Sequence, residues 1–411
     1  MKLLGTTPSG RAVLALALGT AIAAGCGGRR HTSPNSTGTA AGSVAVIEVG
    51  GDTYAFVPNI AGVAKVKLGT GASLAVPTAG DYRFLDPPPD VCAADWNSER
   101  VVCGGYRYDT VHVIDAGTWN MSSHATGLAT AAAVSAGSCI VCGLLYDPAD
   151  DRMILATAGG YALFDHNGSH TIVKTIAGLP SENFGYDPQK NRVFSPRYGN
   201  GAGPSLDLVD VARGAVYALD TPPPLAEPDH GAIDIGTGIA VAAEEAGAVV
   251  YLVDLNAPKL DAPAAGSFQA PQAAIWLSSS TPGRLSGVAV EPGSHLAFLA
   301  ADVGVTMAVA ELPTSSGAPL AVGDYVVTVV PPTPSGTAWY GAGDPHGIAV
   351  FTLPGSSRSY GLLMNDNRRW LAVVDMQALL QAPRSPTDAH GVAAGYDLVG
   401  NGVVTFFPIP P

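Results

Sequence analysis

The stretch Val250-Tyr251-Leu252-Val253-Asp254 is a short apolar run that ends in an acidic residue. Runs of this type favour β-strands, because β-branched and aromatic side chains suit a pleated sheet. Six more such runs occur along the chain, at residues 64–70, 111–118, 161–165, 206–210, 307–311 and 370–375. The first of them carries Lys67 in place of the acid, and Lys67 and Asp375 lie 308 residues apart in six steps, which gives a period of about 51.

A repeat of this length with several strands per unit is typical of a β-propeller. The chain contains 50 glycines and 33 prolines among 411 residues, and only 13% of its residues are charged, as expected for short strands joined by tight turns. We therefore predict an all-β fold, a seven-bladed β-propeller over residues 44–411, with six or eight blades as the alternatives.

Hairpin turns recur inside each period. In the third unit, the turn Asp147-Pro148-Ala149-Asp150-Asp151 separates the runs 144–146 and 152–156. Asp, Pro, Gly and Asn are the residues that turns prefer. Equivalent turns are expected at residues 187–191 and 291–294, so each blade should contain at least one hairpin before its acid-ended strand.

Two stretches, Gly287-Val288-Ala289-Val290-Glu291-Pro292-Gly293 and Gly347-Ile348-Ala349-Val350, resemble the repeats of YVTN-type and lactonase-like β-propellers. The resemblance covers about residues 43–408. It implies a propeller fold, and it leaves the activity open because such propellers include enzymes, binding proteins and scaffolds.

The first 25 residues are predicted to be a lipoprotein signal peptide. Lys2 and Arg11 precede or flank an apolar run over residues 12–24, which is too short for a comfortable membrane span. The run ends in Ala23-Ala24-Gly25-Cys26, which resembles the lipobox of bacterial lipoproteins, although that motif usually has Leu where Ala23 stands. The resemblance implies a lipid on Cys26, and an ordinary secretory leader is the alternative.

Residues 26–43 are rich in Gly, Ser and Thr and are predicted to be a flexible, lipidated tether. Because Gly27 is not the aspartate that marks inner-membrane retention, the resemblance implies an outer-membrane lipoprotein, at the cell surface or on the periplasmic face. The net charge of −13 argues against a nucleic-acid partner, which would need clustered Lys and Arg.

Apart from Cys26, four cysteines remain: Cys92, Cys103, Cys139 and Cys142. A two-residue turn at 97–98 would place Cys92 opposite Cys103 on antiparallel strands, so a disulfide is expected there. The pair Cys139 and Cys142 forms a CxxC that lacks the following His of a haem site. A local disulfide, a thioredoxin-like redox pair and a four-cysteine zinc site remain as interpretations.

Three histidines, His230, His346 and His390, stand before glycine in similar tetrads. If these tetrads open the innermost strands of three blades, the imidazoles would converge at the channel and could hold a transition metal. The alternative is a structural role in which each ring bonds to neighbouring backbone. The oxygen-rich stretches 147–151 and 365–367 could hold calcium, although turn chemistry also explains them.

The sequence contains no nucleophile elbow, HExxH or phosphate loop. We therefore expect a monomeric, lipid-anchored envelope propeller that requires no cofactor and binds a protein, peptide or glycan. The alternative hypothesis is a lactonase-like or metal-dependent enzyme with its site at the mouth of the central channel.

Overall fold

Seven β-sheets, each built around four antiparallel strands, follow one another along the chain in the computed structural model. The structure describes residues 44–410, apart from 60, 129–139, 158, 179–183, 198–204, 221–227, 245–248, 257–267, 270–271, 277–284, 302–305, 318–319, 337–346 and 365–368. Each sheet is one blade, and its first three strands follow in chain order. The predicted seven-bladed β-propeller is therefore confirmed, and the alternatives of six and eight blades are excluded.

The first three blades are formed by the N-terminal strands. Blade one contains β1 (Ala45–Val49), β2 (Asp52–Asn59), β3 (Gly62–Thr70), β4 (Ser73–Leu74) and β5 (Asp81–Phe84). Blade two contains β6 (Val91–Asp95), β7 (Arg100–Gly105), β8 (Tyr108–Asp115) and β9 (Met121–Ala125). Blade three contains β10 (Gly143–Asp147), β11 (Arg152–Thr157), β12 (Gly160–Phe164) and β13 (Ile172–Ala177).

Blades four and five follow the same plan with one addition. Blade four contains β14 (Gly185–Asp187), β15 (Arg192–Arg197), β16 (Ser205–Asp210) and β17 (Ala215–Asp220). Blade five contains β18 (Pro228–Asp234), β19 (Ile239–Glu244), β20 (Val249–Asp254) and β22 (Gln272–Trp276). The intervening β21 (Phe268–Gln269) pairs in parallel with the outer strand of blade four.

The last two blades share the C-terminal segment. Blade six contains β23 (Leu285–Glu291), β24 (Leu296–Ala301), β25 (Thr306–Glu311) and β26 (Tyr325–Val329). Its outer edge is extended by β31 (Asp388–Val392) and β30 (Arg384–Ser385). Blade seven contains β27 (Ile348–Thr352), β28 (Ser359–Met364), β29 (Trp370–Asp375) and β32 (Val404–Pro408).

All seven runs of the sequence, six of which end in an acid, lie at the third strands of the blades. The terminal acid accepts hydrogen bonds from the backbone of the turn that follows it. Asp165 accepts from the N–H groups of Gly168 and Ser169, and Asp375 accepts from Ala378 and thereby caps the short helix α1 (Met376–Leu380). The recurring acid is thus a turn-closing residue.

The ring is closed by the first strands. The first strand of each blade contacts that of the next blade, and β27 of blade seven contacts β1 of blade one. Within the described part of the chain, seven apolar clusters lie between adjacent blades, so every junction carries its own share of the core. The C-terminal strand β32 completes blade seven, and Asn59 donates to the carbonyl of Pro410 across the seam at 3.1 Å.

No helix among the described residues has the length and apolar character that a membrane crossing requires.

Candidate functional site

Five first strands, those of blades two to six, also end in an acid. Each of these carboxylates accepts backbone N–H groups from the turn that leads to the second strand. For Asp95, the donors are Asn97 at 2.9 Å and Ser98 at 3.2 Å. The residues in this position are Asp95, Asp147, Asp187, Asp234 and Glu291. They lie on the face that also carries the turns after the third strands, and we call it the acid-turn face.

Four of these carboxylates also accept a hydrogen bond from the following blade. His166 Nε2 bonds to Asp95 Oδ2 at 2.7 Å, and Tyr186 donates its hydroxyl to Asp147 at 2.6 Å. Further round the ring, His295 bonds to Asp234 at 2.7 Å and Ser359 bonds to Glu291 at 3.1 Å. The buried acids therefore join neighbouring blades as well as closing turns.

The junction between blades two and three concentrates the most polar chemistry. Among the described residues, Asp95, Asp151 and His166 form the one group of His, Cys and acidic side chains whose candidate ligand atoms all lie within 4.8 Å of one another. Asp95 and His166 are fully buried, whereas Asp151 is exposed on the turn between the first two strands of blade three. Such a set of oxygen and nitrogen atoms is a candidate metal centre.

The amide of Asn167 fills the space between the two carboxylates. Its Nδ2 donates to Asp95 at 3.2 Å and to both oxygens of Asp151 at 3.1 Å. Its Oδ1 accepts from the Arg100 guanidinium at 2.5 Å, which fixes the orientation of the amide. A cation at this position would have to displace a donor that is already well placed, so the residues fit a hydrogen-bond network better than a metal.

The same bonds hold Asp95 ionised. Burial alone would raise the pKa of Asp95, but hydrogen bonds from His166, Ser98 and Asn167 outweigh it and keep the pKa well below its ordinary value of 3.8. Burial and the hydrogen bond to Asp151 raise the pKa of the neighbouring Tyr146, so its hydroxyl stays a donor.

The Asp95–His166 pair lacks the geometry of an acid–base dyad. In such a dyad one ring nitrogen bonds the carboxylate and the other faces a nucleophile. His166 Nδ1 is buried and has no hydrogen-bond partner in the described part of the chain. The pair therefore supports a structural role.

Two of the three histidines predicted to ring the channel, His230 and His390, are described, and they do not occupy equivalent positions. His230 is fully buried on β18, the innermost strand of blade five, as expected. His346 lies outside the described residues. His390 lies on β31 at the outer edge of blade six, where it stacks on Tyr325 with ring centroids 3.6 Å apart. The expectation that His390 opens an innermost strand is wrong, because the chain turns back after α1 and adds this segment to blade six.

The cysteines are placed as follows. Cys92 and Cys103 are directly paired on β6 and β7 and form a disulfide, with their Cα atoms 4.1 Å apart. Cys142 is also disulfide-bonded. Cys139 and Cys26 lie outside the described residues, so the pairing within the CxxC and the lipidation of Cys26 stay predictions. The calcium interpretation of 147–151 has a turn explanation, because Asp147 accepts from the N–H groups of Ala149 and Asp150.

The sequence did not predict that the acids at the ends of the first strands contact the next blade. One signal was present, because an acid followed five residues later by arginine recurs as Asp95 and Arg100, Asp147 and Arg152, and Asp187 and Arg192. The partners themselves lie far away in the sequence, 71 residues from Asp95 to His166 and 61 from Asp234 to His295.

Comparisons with solved structures find the same fold at low sequence identity. KlAtg21, in a complex with the coiled coil of AgAtg16, has a TM-score of 0.53 at 9% identity over 90% of this chain and 100% of its own. The β-propeller domain of Cps50 (Swd1) from Myceliophteria thermophila has a TM-score of 0.51 at 11% identity over 70% of this chain and 83% of its own. At these identities the similarity shows the fold alone.

PorZ, a surface component of the type-IX secretion system of Porphyromonas gingivalis, has a TM-score of 0.49 at 13% identity over 91% of this chain. The present chain spans 39% of the length of that protein. No protein-family model matches the sequence, and no curated protein matches it either.

Proposed function

We propose that the chain is a non-enzymatic binding module of a bacterial cell envelope, which presents the acid-turn face to a protein, peptide or glycan. In this proposal the molecule is a monomer, held at the outer membrane by a lipid on Cys26 and by the tether over residues 26–43.

One observation carries the binding part of the proposal. On the acid-turn face, the buried acids and His166 are committed to turns and to neighbouring blades, while Trp96 on the same face is 59% exposed. Committed acids favour a rigid scaffold over acid–base chemistry, and an exposed tryptophan is a residue type enriched at binding hot spots.

Two further observations support the location outside the cytoplasm and the binding of a protein. The disulfide between Cys92 and Cys103 is typical of proteins in an oxidising compartment outside the cytoplasm. KlAtg21 shares the propeller fold and is seen in a complex with a coiled coil, so a propeller of this kind can serve as a protein-binding module.

The anchor is tested by expressing the full-length chain and its Cys26→Ala variant in a Gram-negative host fed with labelled palmitate. We expect the wild-type chain to carry the label and to sediment with membranes, and the variant to lack the label and to remain in the soluble periplasmic fraction. An unlabelled wild-type chain would refute the lipid anchor.

The binding part is tested by photo-crosslinking in intact cells, with the photoreactive residue introduced at Asn97 on the acid-turn face or at Val329. Val329 is an exposed control position at the opposite end of its blade, where it pairs with the first residue of β25. We expect a discrete adduct from the first position and none from the second. Equal labelling from both positions would contradict a binding role for this face.

A further inference from the structure

Trp96 occupies a turn position where other blades have proline. It directly follows the acid at the end of the first strand, and the corresponding residues of blades three, four and six are Pro148, Pro188 and Pro292. Proline suits this place because its fixed φ preorganises a turn. The turn itself therefore gives no reason for a tryptophan, least of all one whose side chain is 59% exposed.

The indole of Trp96 is held by the next blade. Its ring meets Tyr146 edge to face, with centroids 5.0 Å apart and planes at 87°. The Tyr146 hydroxyl accepts from Asn97 Nδ2 at 2.8 Å and donates to Asp151 at 2.9 Å, so Tyr146 cannot easily move. A ring fixed in this way loses little side-chain entropy when a ligand covers it.

The polar groups beside the indole are hydrogen-bond acceptors. Asp151 is an exposed carboxylate, and Asn97 is exposed with an Oδ1 that has no partner among the described residues. Two nearby amide donors are committed, because Asn97 Nδ2 bonds to Tyr146, and Asn167 Nδ2 bonds to Asp95 and Asp151. The indole N–H of Trp96 has no hydrogen-bond partner among the described residues. The surface therefore offers an aromatic face, the acceptor Asn97 Oδ1 and the negative charge of Asp151, and it suits a ligand that brings donors and positive charge.

We propose that Trp96, Asn97 and Asp151 bind a cationic side chain, an ammonium or guanidinium group, from a basic peptide segment of a partner protein. Tryptophan is the best aromatic partner for a cation, and a carboxylate beside it adds charge complementarity. The net charge of −13 attracts basic partners over longer distances. This inference rests on the proposed binding function and names the chemistry of its ligand.

The proposal excludes other classes of ligand on the same grounds. A nucleic acid would meet Asp151 and an overall negative charge. A lipid surface needs a broad apolar patch, whereas this surface has one indole between polar side chains. A neutral glycan carries no charge that would complement Asp151 and the net charge of −13.

The test uses the full-length chain in detergent and hexa-arginine amide as the probe, with binding followed by calorimetry at low and physiological salt. Trp96→Pro installs the residue found in three other blades, and we expect it to weaken binding about tenfold. Trp96→Phe keeps an aromatic face and should stay within about threefold of the wild type.

Asp151→Asn and Asp150→Asn form a matched pair, because both residues are exposed on one turn and both changes remove one negative charge. We expect about a fivefold loss for Asp151→Asn and less than twofold for Asp150→Asn. Equal losses for the pair, or unchanged binding in Trp96→Pro with an unchanged melting temperature, would overturn the proposal and leave only unspecific attraction to a negative protein.

Spermine distinguishes a free amine from a peptide side chain. We expect spermine to bind more weakly than hexa-arginine amide, and tighter spermine binding that depends on Trp96 would overturn the assignment to a peptide. None of these binding measurements depends on the lipid. The absence of a palmitate label on Cys26 and the absence of cation binding at Trp96 would therefore be separate results.

Discussion

Two blade junctions contain the same pair of residues in different surroundings. Asp95 bonds to His166 between blades two and three, and Asp234 bonds to His295 between blades five and six, both at 2.7 Å. The His166 side chain is fully buried, whereas that of His295 is 26% exposed. The two histidines also come from different turns, after the third strand for His166 and after the first strand for His295.

The difference shows that the same Asp–His hydrogen bond can contribute differently to stability in two surroundings. Around Asp95, the side chains of Ser98 and Asn167 add further donors, and Arg100 fixes the Asn167 amide. Around Asp234, the additional donors are the N–H of Gly236 and the hydroxyl of Thr237. A fully buried pair becomes costly when one partner is removed, while water can replace a partner at an exposed rim.

The largest expected effect is that of His166→Ala. The variant leaves the Asp95 carboxylate buried without its inter-blade donor and opens a space beside Tyr146. We expect the free energy of unfolding to fall by about 3 kcal/mol, against about 1 kcal/mol for the matched His295→Ala. Urea unfolding at neutral pH measures both, and equal losses would mean that burial does not separate the two junctions.

Asn167→Asp tests the centre of the buried junction. The change replaces the bridging amide donor by a third negative group beside Asp95 and Asp151, so we expect a loss of about 2 kcal/mol. Asn120→Asp, in an exposed turn, makes the same chemical change and should cost less than about 0.5 kcal/mol.

The same variant tests the metal interpretation. If the cluster held a resident cation, the additional carboxylate would be a new ligand and the variant would be at least as stable as the wild type. Melting temperatures of both proteins with and without added Ca²⁺ and Zn²⁺ decide the point. We expect no metal-dependent rise for the wild type.

Local patterns in the sequence were sufficient to predict the fold. All seven third strands could be located because apolar runs, terminal acids and turn residues are readable within a few positions of one another. The Cys92–Cys103 pairing was accessible for the same reason, since the turn between them sets the strand register. The position of His390 was not accessible, because no local pattern tells that β31 adds to the outer edge of a preceding blade.

The site was harder to predict from the sequence than the fold. The acid-turn residues were visible as turn formers, but their partners come from the next blade and are fixed only when the blades pack. The contact between Trp96 and Tyr146 is of the same kind, since it joins residues 50 positions apart in two blades. Period and composition describe one blade at a time, and they contain no information about side chains that meet across a junction.

Acid should weaken the buried junction through Asp95. Its pKa is lowered in the folded protein, so its ionised form contributes stability that is present above the unfolded value of 3.8 and is lost as the pH falls towards the lower folded value. We expect the stability advantage of the wild type over Asp95→Asn to shrink steadily between about pH 5 and pH 2.

Urea unfolding of both proteins across this pH range gives the measurement, with Asp150→Asn as a control for the loss of an exposed carboxylate. A constant difference between wild type and Asp95→Asn at all pH values would contradict the role assigned to the ionised form of Asp95.

The smallest expected effect comes from the backbone conformation, which differs between His295 and His166. His295 has a φ of 55°, in the left-handed region, and Gly238 holds the corresponding position in blade five. His295→Gly and His295→Ala both lose the bond to Asp234, but only glycine adopts this φ without strain. We expect His295→Gly to be more stable than His295→Ala by about 0.5 kcal/mol, after the greater entropy of glycine in the unfolded chain is included.

His166 is not among the described residues with positive φ, so the order should reverse there. His166→Gly should be less stable than His166→Ala by about 0.5 to 1 kcal/mol, because glycine adds entropy to the unfolded chain and relieves no strain. Urea unfolding of the four variants gives both differences. If glycine were the worse substitution at both positions, the left-handed backbone at His295 would carry no cost, and burial alone would distinguish the two junctions.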